Sequence, residues 1–128
     1  MIRQIDLPIY EQEIHLVLGE TSISCCNLIN DSHVNEDKIE PIDCRGFFWE
    51  TNYKYRGILK KRFYIALSKH ELENTTLEHE VIHLTWSVLD NVGVKINSNN
   101  HEAFAYLFEY LLKSFRSKIK ELAIDKNK

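Results

Sequence analysis

Glycine and proline are scarce in this chain, with four Gly and two Pro in 128 residues. That leaves little material for a phosphate-cradling loop or a flexible linker, and neither G-x-G-x-x-G nor a P-loop pattern occurs. Cationic excess is missing as well. Sixteen Lys and Arg against nineteen Asp and Glu give a formal charge of −3, which excludes a strongly basic surface and speaks against nucleic acid as a main partner. No apolar run approaches the length of a membrane span, so no membrane partner is expected. Asp6 and Pro8 interrupt the N-terminal apolar stretch before it reaches signal-peptide length, and the expected location is cytoplasmic. Cysteine is limited to Cys25, Cys26 and Cys44, read as free thiols in a reducing compartment.

What is present is ordinary globular material, 44% hydrophobic and 27% charged. The length fits a single domain over residues 1–128 that can bury a core without disulfides. Residues 4–18 read as a hairpin: Ile5, Leu7 and Ile9 alternate with polar neighbours, Glu11-Gln12-Glu13 turns, and Ile14 to Leu18 returns. Residues 20–46 are polar, turn-rich and without a clear period. Phe47-Phe48-Trp49 and Phe63 to Leu67 read as further strands, with Lys60-Lys61-Arg62 as a solvated turn between them. Thr75-x-x-Glu78 is a capping-box pattern and predicts a helix from about 75 to Asn91, stopped by Gly93. Asn99-x-x-Glu102 predicts a second helix to about Glu121, with a tail over about 123–128 that frays. Strands followed by helices give an α+β fold.

The chemistry concentrates in the first helix as His79-Glu80-Val81-Ile82-His83, an H-E-x-x-H pattern. Four positions on a helix separate the two imidazoles by only about 40° around the axis, so both leave one face a turn apart, as two nitrogen ligands of a tetrahedral Zn²⁺ require. Glu80 adjoins the first ligand and can serve as general base towards a water on the metal. A shuffled chain with six His and 13 Glu would show the pattern with a probability of roughly 3%. Leu77, Val81, Leu84 and Val88 form an apolar stripe opposite the histidines, so the core face is already supplied. Trp86 shares the histidine side, which reads as the wall of a cleft. Glu102 follows His83 by nineteen positions and is either a third ligand or the Glu of its capping box. His101 competes as a ligand or acts as a polarising donor, and Tyr106 can polarise a carbonyl. His15, His33 and His70 have no spacing partner.

Leu77 to His83, Gly93 and His101-Glu102-Ala103-Phe104-Ala105-Tyr106-Leu107 together resemble the zincin-like metallopeptidases of the gluzincin type, and more narrowly the small metallopeptidases of tailed phages and prophages. The likeness covers most of the chain and is specific from about 62 to 111, leaving 20–46 unmatched. It implies a zincin-like fold, a small, mostly antiparallel sheet packed on the H-E-x-x-H helix and a C-terminal helix. It further implies one Zn²⁺ per chain held by His79, His83 and Glu102, with Glu80 as catalytic base. The implied activity is hydrolysis of a peptide bond in a protein or peptide, in the cytoplasm of a bacterial host. In such enzymes the strand before the metal helix lines the cleft. Here that strand is Phe63, Tyr64, Ile65, Ala66 and Leu67, whose unpaired edge would hold an extended substrate. A non-catalytic phage accessory protein with a structural metal is the competing expectation. A cysteine completing the ligand set would favour it, because structural zinc takes four protein ligands.

Overall fold

Two runs, Ile14 to Leu18 and Phe63 to Leu67, are apolar at nearly every position, the pattern of strands covered on both faces rather than one. They occupy the middle of the sheet. In this computed structural model, which describes residues 1–8, 10–72 and 76–126, the strands are β1 (Ile2–Ile5), β2 (Glu13–Gly19), β3 (Gly46–Tyr55) and β4 (Ile58–Ser68). The helices are α1 (Ser22–Ser32), α2 (Thr76–Asn91) and α3 (His101–Lys126), with one 3-10 turn at Lys69–Glu71. The sheet order is β1-β2-β4-β3. The architecture is α+β with a small mixed sheet: β1–β2 and β3–β4 are antiparallel, and the central β2–β4 pair is parallel. A parallel pair needs a crossover, and α1 supplies part of it.

Side-chain alternation sorts the core into two halves. Ile14, Leu16, Phe63, Ile65 and Leu67 pack with Leu77, Val81, Leu84 and Val88 of α2 and with Leu107, Leu111 and Phe115 of α3. Each such side chain stabilises the fold by roughly 1.5–3 kcal/mol when fully buried. The opposite side chains, Val17, Tyr64 and Ala66, pack with Cys25, Cys26 and Ile29 of α1. The result is α1 on one face and α2 with α3 on the other.

Several expectations shift. The hairpin exists, but β1 is Ile2–Ile5, paired Ile2 with Val17 and Ile5 with Ile14, and Leu7 buries itself from the connecting segment. Ile9 lies outside the described residues, as does Thr75, the expected cap of α2. Lys60-Lys61-Arg62 is strand, not turn. The turn is Arg56-Gly57, both at positive φ (52° and 78°), as a two-residue type I′ hairpin demands. The segment 20–46 contains α1, capped by Thr21, whose hydroxyl accepts from Ser24 N–H at 3.1 Å while Ser24 Oγ accepts from Thr21 N–H at 3.0 Å. α3 continues past Glu121 to Lys126 and so takes in part of the tail expected to fray.

Candidate metal centre

α2 forms where its stripe dictates, with Leu77, Val81, Leu84 and Val88 against the sheet and His79 and His83 on the solvent side. The imidazoles converge, their Nε2 atoms 3.3 Å apart and their rings near perpendicular at 72°. Two nitrogens bound to one tetrahedral zinc at about 2.0–2.1 Å stand about 3.3–3.4 Å apart. The pair therefore fits two corners of that tetrahedron without a change of backbone.

Glu80, between them in sequence, is buried. Burial raises its carboxyl pKa above the ordinary value, against a smaller opposing pull from His79, His83 and a hydrogen bond from the Phe48 N–H. The Phe48 ring stacks on His83 at 6.5 Å and 16°. One residue of β3 thus touches both the base candidate and a ligand candidate. Gly46 makes that approach possible, since a Cβ there would meet Ala66 O at 2.8 Å and Thr76 Cγ2 at 2.9 Å.

Glu102 is not brought to the pair. It lies in the first turn of α3, its side chain 65% exposed, with His101 Nδ1 3.6 Å from its carboxylate. Among the described residues no three His, Cys, Asp or Glu gather closely enough to hold a metal. Of the two roles its spacing left open, capping is not the one it performs. α3 begins at His101, and the Asn99 N–H goes to Asn97 Oδ1 at 2.8 Å instead. The helix pair itself is close here, because Trp86 meets Phe104, two residues past Glu102, at 6.4 Å between rings. Tyr106 is exposed and His101 has only Glu102 beside it among the charged groups described. No cysteine joins the histidines, since Cys25 and Cys26 are fully buried against α1's face of the sheet and Cys44 packs on that same cluster.

The strand expected to present an open edge has none. Phe63 to Leu67 pair with Ile14 to Leu18 on one side and with Gly46 to Glu50 on the other. Their uninterrupted apolar character belongs to a central strand, and β3 is the edge instead. Phe48 N–H reaches Glu80, and Asn52 C=O accepts from Glu36 N–H at 2.8 Å. Backbone groups alternate sides along a strand, so Glu50, between them, also directs its N–H and C=O outward.

A second titratable cluster, unannounced by spacing, lies on the α1 face. His15 and His33 stand 4.7 Å apart between ring centroids, both beside Tyr64. His33 Nδ1 is 2.7 Å from the Tyr64 hydroxyl, which also accepts from the Asn35 amide at 3.1 Å. Glu13 accepts from His15 Nε2 at 3.0 Å and from Arg62 Nε at 3.1 Å. Burial opposes its ionisation, but hydrogen bonds from His15, Tyr53 and Arg62 and the Arg62 charge prevail and hold its pKa down at about 2. Desolvation, then His15 and Arg62, lower the His33 pKa against a smaller pull from Glu13. His15 Nδ1 is buried without a partner. No protein-family model, curated protein or solved structure matches the chain.

Proposed function

We propose that the chain is a zinc-dependent peptidase of zincin-like fold acting on a protein or peptide. The 3.3 Å separation of the His79 and His83 Nε2 atoms, beside a buried Glu80, supports this reading most. His79 and His83 would hold the ion, and Glu102, free of capping duty, is the third ligand of this reading. Zinc, when bound, supplies a Lewis acid that acidifies water and polarises a carbonyl. Glu80 accepts a proton at its carboxylate and returns it to the departing amine. Its upward shift serves this, since a base that must also release its proton works best near the ambient pH. The Phe48 N–H fixes the carboxylate meanwhile. An extended peptide laid along β3 would meet the outward N–H and C=O of Glu50, a role moved here from the paired residues 63–67.

The exposed position of Glu102, away from the pair, leaves the open three-ligand site incomplete and so favours a second reading, a non-catalytic accessory protein. No cysteine reaches the histidines to close a structural site, so any metal it carried would rest on the pair. Elemental analysis and a peptide-library hydrolysis assay separate the two. The peptidase reading expects about one zinc per chain in wild type and in Glu80→Gln, lost in His79→Ala and weakened in Glu102→Ala, with hydrolysis falling by about 10²–10⁴ in Glu80→Gln. Zinc bound without any hydrolysis selects the accessory protein, and wild type without zinc ends both.

A further inference from the structure

The outer end of the β3–β4 hairpin extends beyond the four-stranded sheet. β2 begins to pair with β4 only at Arg62, opposite Glu13, so residues 54–60 form a two-stranded ribbon overhanging the sheet. Every one of these seven residues is exposed. A ribbon of this kind buries little and adds little stability. Yet it carries Tyr55, Ile58 and Leu59, which are 50%, 61% and 56% exposed. Tyr55 pairs directly with Ile58 beside the turn, and Leu59 pairs with Lys54.

Charge is equally lopsided. Residues 51–70 hold six of the sixteen Lys and Arg and no Asp or Glu, in a chain that is acidic overall. At the ribbon's root the cations are spoken for: Arg62 by Glu13 at 3.1 Å and Lys61 by Glu50 at 3.7 Å. At its outer end no described carboxylate pairs with Lys54, Arg56 or Lys60. Arg56 and Lys60 instead lie 5.2 Å from the Tyr55 ring centre, which gathers the charge around the apolar tip. Positive φ at Arg56 and Gly57 fixes the turn and so the presentation of the tip.

We propose that this ribbon docks on an anionic lipid surface. Ile58 with its cross-strand partner Tyr55 on one face of the ribbon, and Leu59 on the other, flank the tip as it enters the boundary between headgroups and acyl chains. Lys54, Arg56 and Lys60 meet the anionic headgroups. A nucleic acid would engage the three cations and leave both aliphatic side chains in water, so it satisfies only half of the surface. No described helix is long and apolar enough to cross a membrane, and this contact requires none. It is independent of the metal reading, since the ribbon and the histidine pair belong to different elements.

Cosedimentation of the full-length chain with vesicles containing about 30 mol % phosphatidylglycerol in phosphatidylcholine tests the proposal. Wild type is expected to pellet with these vesicles at low salt and not with phosphatidylcholine alone. Replacing Lys54, Arg56 and Lys60 with Gln should weaken partitioning by about a hundredfold, at about fivefold per cation. Ile58→Ser with Leu59→Ser should weaken it by about tenfold or more. These positions are exposed, so unchanged melting temperatures will verify the fold of both variants. Failure to pellet overturns the proposal. So does binding indifferent to Ile58→Ser and Leu59→Ser, or displacement from the vesicles by single-stranded DNA.

Discussion

His79 and His83 stand in solvent on one side of the sheet, whereas on the other side His15 is buried and His33 half-buried. The exposed pair comes from one helix and has each other, the Phe48 ring against His83 and Glu80 behind them. The other pair comes from β2 and the C-cap of α1, and one nitrogen of each ring engages a partner, His15 Nε2 with Glu13 and His33 Nδ1 with Tyr64. The contrast separates two uses of one side chain. Convergent nitrogens left in water are available to an ion from outside, while nitrogens held by internal partners clamp one segment to another. Here the clamp joins residues 33–35 to the sheet, because Arg62 also bonds to Val34 O at 3.2 Å and Asn35 Oδ1 at 3.0 Å.

The largest expected effect falls on the clamp. A Glu13 pKa of about 2 against an ordinary 4.5 makes the ionised form a stabiliser above pH 4.5, lost progressively as the pH falls towards 2. Glu13→Gln should therefore cost about 3 kcal/mol at pH 7 and converge with wild type near pH 2, as measured by urea unfolding. Equal stabilities at pH 7 would reduce the clamp to an incidental contact. The next effect falls on the exposed pair. Zinc at a hundred times its dissociation constant should stabilise wild type by about 2.7 kcal/mol, and leave a His79→Ala, His83→Ala variant unmoved. Glu13→Gln should keep the full zinc response, and its loss there would show that the two faces are not separate. The smallest effect concerns His33. Its lowered pKa means the folded state resists a proton that the unfolded chain accepts, so stability present above pH 6.5 declines as the pH falls below it. His33→Gln should flatten that decline in a thermal-melt series between pH 7.5 and 5, and an unchanged slope would assign it to another group.

The difference between the pairs also explains what could be read from the chain. His79 and His83 were legible because a helical period brings residues four apart together, and the Leu77, Val81, Leu84, Val88 stripe says which face is inward. His15 and His33 meet only after a strand and a helix have folded, so no local period announces them. α1 is hard to read because its buried face is Ser22, Cys25, Cys26 and Ile29, a short helical spacing with one large aliphatic side chain. Thr21-x-x-Ser24 was the available signal, with Ser in the place Glu or Gln usually takes. The run Lys60-Lys61-Arg62 reads as a turn because three consecutive cations show no alternation, although only Lys60 is fully exposed and Lys61 and Arg62 are half-buried strand residues. Glu102 stands in a cap's register relative to Asn99, yet the helix starts at His101, one residue later than an Asn99 cap requires.

One property of the sheet bears on how the chain comes to be folded at all. Glu13 pairs with Arg62 and Gly19 with Ser68, so each contact in the central parallel ladder joins residues 49 positions apart. Contacts of such sequence separation form slowly, because the intervening chain must be closed before they are rewarded. A chain emerging from the ribosome can make β1, β2 and α1 early, but the floor under the histidine helix waits for residue 68. α2 then follows within about eight residues, with its stripe facing the completed sheet. Synthesis order thus places Glu80 against its strand only after every strand it depends on has been made.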